Sequence, residues 1–160
     1  MSKGGLLLLA IVIWQIGSWA FAPPRPPPTI PEGDGRDFGP NEKYLVEGRE
    51  MQRRYAVQAL DMPWGSRCNG DDRKRFLSGL DKYYYHRQDQ TEVYLRTFGK
   101  AGADYIATQW SKADDQRIDR LTQEAYAKGY LKPSDFGEAA AKMVATVIKT
   151  ERVTGKGCKG

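Results

Sequence analysis

The stretch from Arg73 to Phe98 limits what this chain can fold into more than any other, because it holds one helical pattern for 26 residues with no proline. At about 100° per residue, Phe76, Leu77, Leu80, Tyr83, Tyr84, Tyr94, Leu95 and Phe98 share a stripe about 120° wide, the pattern of a helix that packs on a core. Tyr85 falls at the edge of the polar side and His86 well onto it, so His86 is expected to be exposed. Arg87 and Thr91 stand inside the apolar stripe, out of keeping with their neighbours.

The flanking segments follow from this helix. Asn41 is an N-cap with Glu42 in the first turn, and Tyr44, Leu45, Met51, Tyr55, Ala59 and Leu60 give a weak apolar face that ends before Pro63. Residues 63–70 are turn-rich, and Asp71 and Asp72 cap the central helix. Gly99 and Gly102 mark a reversal into Ala103–Lys128, whose Ala103, Ile106, Ala107, Trp110, Ile118, Leu121 and Ala125 form one stripe if the helix is continuous. A capping box at Ser111–Asp114 would make it two helices, and the pattern leaves both open. Gly129 is a C-cap, and Pro133, Ser134 and Asp135 start a last helix with Phe136, Ala139, Ala140, Met143, Val144 and Val147 on one face. The expectation for residues 41–160 is an all-α bundle of about four helices.

Before it, residues 1–22 carry one charge, Lys3, and an apolar run from Leu6, which reads as a secretory signal peptide. The rival reading is an uncleaved anchor, since Leu6–Ala22 is at the lower limit of roughly 17–25 residues for a membrane span. Residues 23–40 hold seven of the nine prolines and read as an extended linker. The chain is therefore expected in the periplasm or outside the cell, or tethered to the membrane through residues 1–22.

Cys68 and Cys158 are the two cysteines, and in an oxidising compartment an even count predicts a disulfide. A loop of about 90 residues closed this way stabilises by roughly 4–5 kcal/mol on the chain-entropy model. The net charge of +5 is spread along the chain. Arg53–Arg54 and Arg73–Lys74–Arg75, the densest groups, read as solvated helix faces, so nucleic acid is not the expected partner. One histidine and two thiols are too few for a zinc centre, and neither metal nor cofactor is expected.

Two groups of residues remain as candidate sites. Tyr85, His86 and Glu92 on the polar side of the central helix would serve an enzyme, a hydrolase for instance. Arg87 is expected to meet Asp114 in a buried ion pair if the hairpin closes at Gly99–Gly102. Alternatively, Arg87 reaches solvent while Asp114 caps its own helix, or Arg87, Thr91 and Tyr94 form an anion pocket. With no nucleophile and base brought together by spacing, the leading expectation is a non-catalytic module that binds a protein of the cell envelope. A hydrolase and a membrane-tethered structural subunit are the alternatives.

Overall fold

The computed structural model describes residues 42–148 and 152–158; the expected signal or anchor segment and the linker lie outside the described residues. Four helices, α1 (Glu42–Leu60), α2 (Gly70–Gln109), α3 (Ala113–Ala127) and α4 (Glu138–Ile148), follow one another with 3-10 turns at Ser66–Cys68 and Pro133–Asp135. No strand occurs among the described residues, and the all-helical class predicted from periodicity is the one observed.

The helix α2 is broken at Gly99, where φ is 65° and ψ −154°, a backbone state that only glycine adopts without strain. There the chain doubles back. Tyr105 stacks on Tyr94 with ring centroids 6.0 Å apart and Trp110 meets Tyr83 at 5.5 Å, whereas a straight helix would separate these pairs by roughly 16 and 40 Å. The reversal lies where the glycines predicted it. A second break follows at Trp110–Lys112, so the stretch after the reversal is two helical pieces, an arm over 100–109 and then α3. The capping box at Ser111, one of the alternatives the pattern left open, does not form: Lys112 is the N-cap residue, and the Ser111 hydroxyl donates backwards to the Ala107 carbonyl.

Against the first arm of α2, α1 runs antiparallel, with Gly48 opposite His86 and Gly79 opposite Tyr55 and Ala59. A Cβ on Gly79 would come within 2.7 Å of the Tyr55 carbonyl oxygen, so this glycine sets how closely the two helices approach. Phe76, Leu80, Tyr83, Tyr84, Ile106, Trp110, Ile118, Ala125 and Val144 form the fully buried centre. At roughly 1.5–3 kcal/mol for each large apolar side chain, this centre is the main favourable term holding α4 and the two arms of α2 together.

Two apolar faces differ from expectation. Leu95 is 49% exposed, because the returning arm packs on the side of α2 that carries Tyr94 and Phe98, and Leu95 is one residue further round. On α1, Met51 and Tyr55 are exposed, while Arg49, Arg53, Ala56, Ala59 and Leu60 face inwards. The helix therefore turns a partly cationic face to the core, and Arg53 is not on a solvated face.

The end of α3 is closed by bonds from the Gly129 amide to the Tyr126 carbonyl (2.8 Å) and from the Tyr130 amide to the Ala125 carbonyl (2.9 Å), a Schellman motif. Residues 152–158 lie along that end as a strap. The amides of Thr154 and Gly155 donate to the Ala127 carbonyl at 2.8 and 2.9 Å, and that of Cys158 to the Gly129 carbonyl at 3.3 Å. The expected Cys68–Cys158 disulfide is present, with 5.1 Å between the Cα atoms, and anchors the strap to the start of α2.

Candidate functional site

The densest chemistry in the bundle is a buried polar network joining α1, α2 and α3. Asp115 sits in the first turn of α3, where the helix dipole favours an acid, and is wholly buried. Arg53 of α1 grips it with both forks, Nε to Oδ1 at 2.8 Å and Nη2 to Oδ2 at 2.7 Å, the geometry that makes guanidinium-carboxylate pairs strong. The Tyr83 hydroxyl donates to Asp115 Oδ1 at 3.0 Å, and Arg53 Nη2 also donates to the Gln109 carbonyl at the end of α2. One helical turn along, Arg87 Nη1 reaches both Asp119 oxygens at 2.9 and 3.0 Å, and the Tyr84 hydroxyl donates to the same carboxylate at 3.1 Å.

Burial pushes the phenols of Tyr83 and Tyr84 well above the usual tyrosine range, so both remain hydroxyl donors. Burial also raises the Asp119 carboxyl, against the opposing pull of Arg87. Two guanidiniums are thus matched by two carboxylates with each acid held by several donors, which is what a buried charge cluster requires. Chemically this fixes helix register: Asp115, Tyr83 and Tyr84 are shut away from any substrate.

This arrangement corrects the expected Arg87–Asp114 pair. Arg87 is a partly buried ion-pair residue, but its partner is Asp119, and Asp114 is exposed in the first turn of α3. The break at Trp110–Lys112 restarts the helix and rotates Asp115 and Asp119 inwards in place of Asp114. The anion pocket is not formed either, since the Arg87 charge is taken by Asp119 and the Thr91 hydroxyl donates to the Arg87 carbonyl at 2.8 Å.

The residues Tyr85, His86 and Glu92 do not converge. Tyr85 is 53% exposed, and Glu92 accepts from Gln88 at 3.0 Å and pairs with Arg96 at 3.3 Å. His86 turns the other way, towards α1. It is half-buried rather than exposed, its Nε2 lies 3.0 Å from the Gln90 amide nitrogen, and its ring meets Trp110 edge-on at 6.2 Å. Burial, with a further contribution from Arg49, holds its pKa below the usual histidine value, with Asp89 acting in the opposite direction. Among the described residues no group of three or more His, Cys, Asp or Glu is placed to hold a metal ion.

A groove of about 600 Å³ lies between the second half of α1 and the first turns of α2. Its floor lies where Ala59 and Gly79 bring the helices together, its walls include Tyr55 and Met62, and Arg75 and Lys82 stand at its edge. Lys82 Nζ is 5.0 Å from the Tyr55 ring centre, a cation resting on an exposed aromatic face. Asp72 is the one carboxylate that lines the groove.

Comparison with protein-family models, curated proteins and solved structures finds no match. The geometry therefore carries the functional argument. Asp115 and Asp119 had a legible signal: Asp115, Ile118, Asp119, Thr122 and Ala125 repeat every three or four residues, the spacing of one inward face.

Proposed function

We propose that the helical domain is a binding module displayed outside the cytoplasm, with the α1–α2 groove as its docking site. The groove carries this reading. It combines small residues at its base, an exposed tyrosine and a partly buried methionine on its walls, and two cations against one carboxylate. A protein segment with an apolar anchor residue flanked by acids fits that chemistry, by the mode in which an amphipathic segment lies in a groove. The separation of His86 from Tyr85 and Glu92 favours binding over a hydrolase built on those three residues. The disulfide is in keeping with an oxidising compartment, and an envelope protein is the partner class.

No helix among the described residues is long and apolar enough to cross a membrane, so the tethered form of this reading rests on residues 1–22 as anchor. Intact mass of the exported protein separates the two, since loss of about 20 residues marks signal cleavage.

The groove is tested with a photo-crosslinking residue at Ser78, which lines it, and a control at exposed Gln116 on α3. The expected result is a discrete protein adduct from position 78, none from 116, and loss of that adduct when Gln58→Trp, at another lining position, is added to fill the groove. An adduct that survives Gln58→Trp, or none from position 78, refutes the assignment.

A further inference from the structure

A second cavity, of about 420 Å³, adjoins the groove at Met62 and Pro63. It lies beside the α1–α2 turn, has Leu60, Trp64 and Leu121 in its wall, and includes Arg67 and Arg117. Arg67 is an unusual residue to find there. It is 3% exposed, its Nε donates to the Met62 carbonyl at 3.0 Å, and its Nη2 donates to the Leu60 carbonyl. The side chain therefore caps the end of α1. Its third nitrogen, Nη1, is buried and has no hydrogen-bond partner.

The surroundings sharpen the point. The guanidinium lies 3.7 Å from the centre of the Trp64 ring and 5.0 Å from that of Phe76, between two aromatic surfaces. The other charges nearby are already paired: Arg117 with Asp61 at 3.6 Å and Lys128 with Glu124 at 2.5 Å. No carboxylate is hydrogen-bonded to Arg67, and burial draws its pKa below the ordinary arginine value. A buried guanidinium with an unmet N–H is costly, and one added anion would relieve both deficits.

We infer that this cavity binds a single carboxylate attached to an apolar body, the carboxylate pairing with Arg67 Nη1 and the apolar part lying against Trp64 and Leu121. The uncompensated charge is one, and Asp61 and Glu124 in the same wall repel a dianion, which selects a carboxylate over a phosphate. The inference does not depend on the groove having a partner. A free organic acid and the C-terminus of a polypeptide offer the same chemistry.

The test uses the full-length protein, with calorimetry and the Trp64 indole resonance as readouts. The probes are N-acetyl-leucine, N-acetyl-leucinamide, and a Gly-Gly-Ser-Ala-Leu peptide with its C-terminus free or amidated. Saturable binding of the acids that shifts the Trp64 signal is expected, with either amide weaker by about tenfold, the equivalent of one charge-assisted hydrogen bond. A peptide that binds more tightly than the small acid places the natural ligand on a polypeptide end; the reverse order places it among free acids.

Arg67→Met should abolish binding, but it also removes the cap of α1. Arg117→Glu is the companion variant, because the native side chain is half-exposed and the new acid adds a negative charge beside the carboxylate. It should weaken binding several-fold with the fold intact. Equal affinity for acid and amide, no saturable binding of either acid, or unchanged affinity in Arg117→Glu overturns the assignment.

Discussion

Replacing Asp115 with asparagine keeps the shape of the side chain and removes its charge, isolating what the Arg53 pair contributes. In the native bundle Asp115 accepts from Arg53 Nε, Arg53 Nη2 and Tyr83 at 2.7–3.0 Å while wholly buried. After the change Arg53 keeps the Gln109 carbonyl and Glu50, whose side chain is 47% exposed and correspondingly screened. Removing one member of a buried pair costs about 3–5 kcal/mol, because the other charge is left behind. At ~2.1 cal/mol/K for each residue of the helical domain, that loss lowers Tm by about 12–20 °C. Thermal and urea unfolding with the disulfide intact measures it. The double variant Arg53→Met/Asp115→Leu should recover most of the loss, since apolar residues of similar volume are often as stable as a buried pair. A cost under about 1 kcal/mol for Asp115→Asn, or a double variant no better than the single, would show that the pair does not hold α1 to α3 as described.

Three further outcomes are expected. A double-mutant cycle on Arg87→Met and Asp119→Asn should give a coupling of about 1 kcal/mol or more, and the cycle with Asp114→Asn less than about 0.5 kcal/mol; the reverse order would refute the observed partnership. For His86 the folded pKa is depressed, so the unfolded chain takes up the proton first and stability falls as pH drops below about 6.5, the unfolded value. Unfolding midpoints from pH 7.5 to 5 should show that fall in the native chain and a smaller one in His86→Gln. Reducing Cys68–Cys158 should release the strap before the bundle, seen as faster amide exchange at Thr154, Gly155 and Cys158 with α2 unchanged; equal acceleration in α2 would contradict it.

How much of this was legible depends on what each side chain does at the core. The α2 pattern was plain because Phe76, Leu80, Tyr83 and Tyr84 are apolar bodies at helical spacing, and Gly99 with Gly102 announced the reversal. The inward face of α1 was misread because arginines occupy it: a periodicity search weighs Arg49 and Arg53 as solvent-facing, and the buried acid that Arg53 grips, Asp115, lies 62 residues away. The Arg87 partner was misassigned for a different reason. Matching residues across an antiparallel hairpin assumes one rigid register, and the restart at α3 breaks it, moving the partner from Asp114 to Asp119. The groove had no sequence signature, since it arises from Gly79 and Ala59 meeting across two helices.

The disulfide also decides how the domain answers a mechanical load. The bridge joins residues 90 apart and encloses α2, α3 and α4, while α1 stands outside the ring. Tension applied between residue 42 and residue 158 runs along α1 and its turn, crosses the sulfur bridge, and bypasses the other three helices. The slack released under such a pull is limited to residues 42–67, about 90 Å fully extended before subtracting the folded length. Reduction frees the ring and adds roughly 300 Å. With the bridge closed, α1 behaves as a peelable clasp on a covalently locked body, and peeling it divides both the α1–α2 groove and the Arg67 cavity.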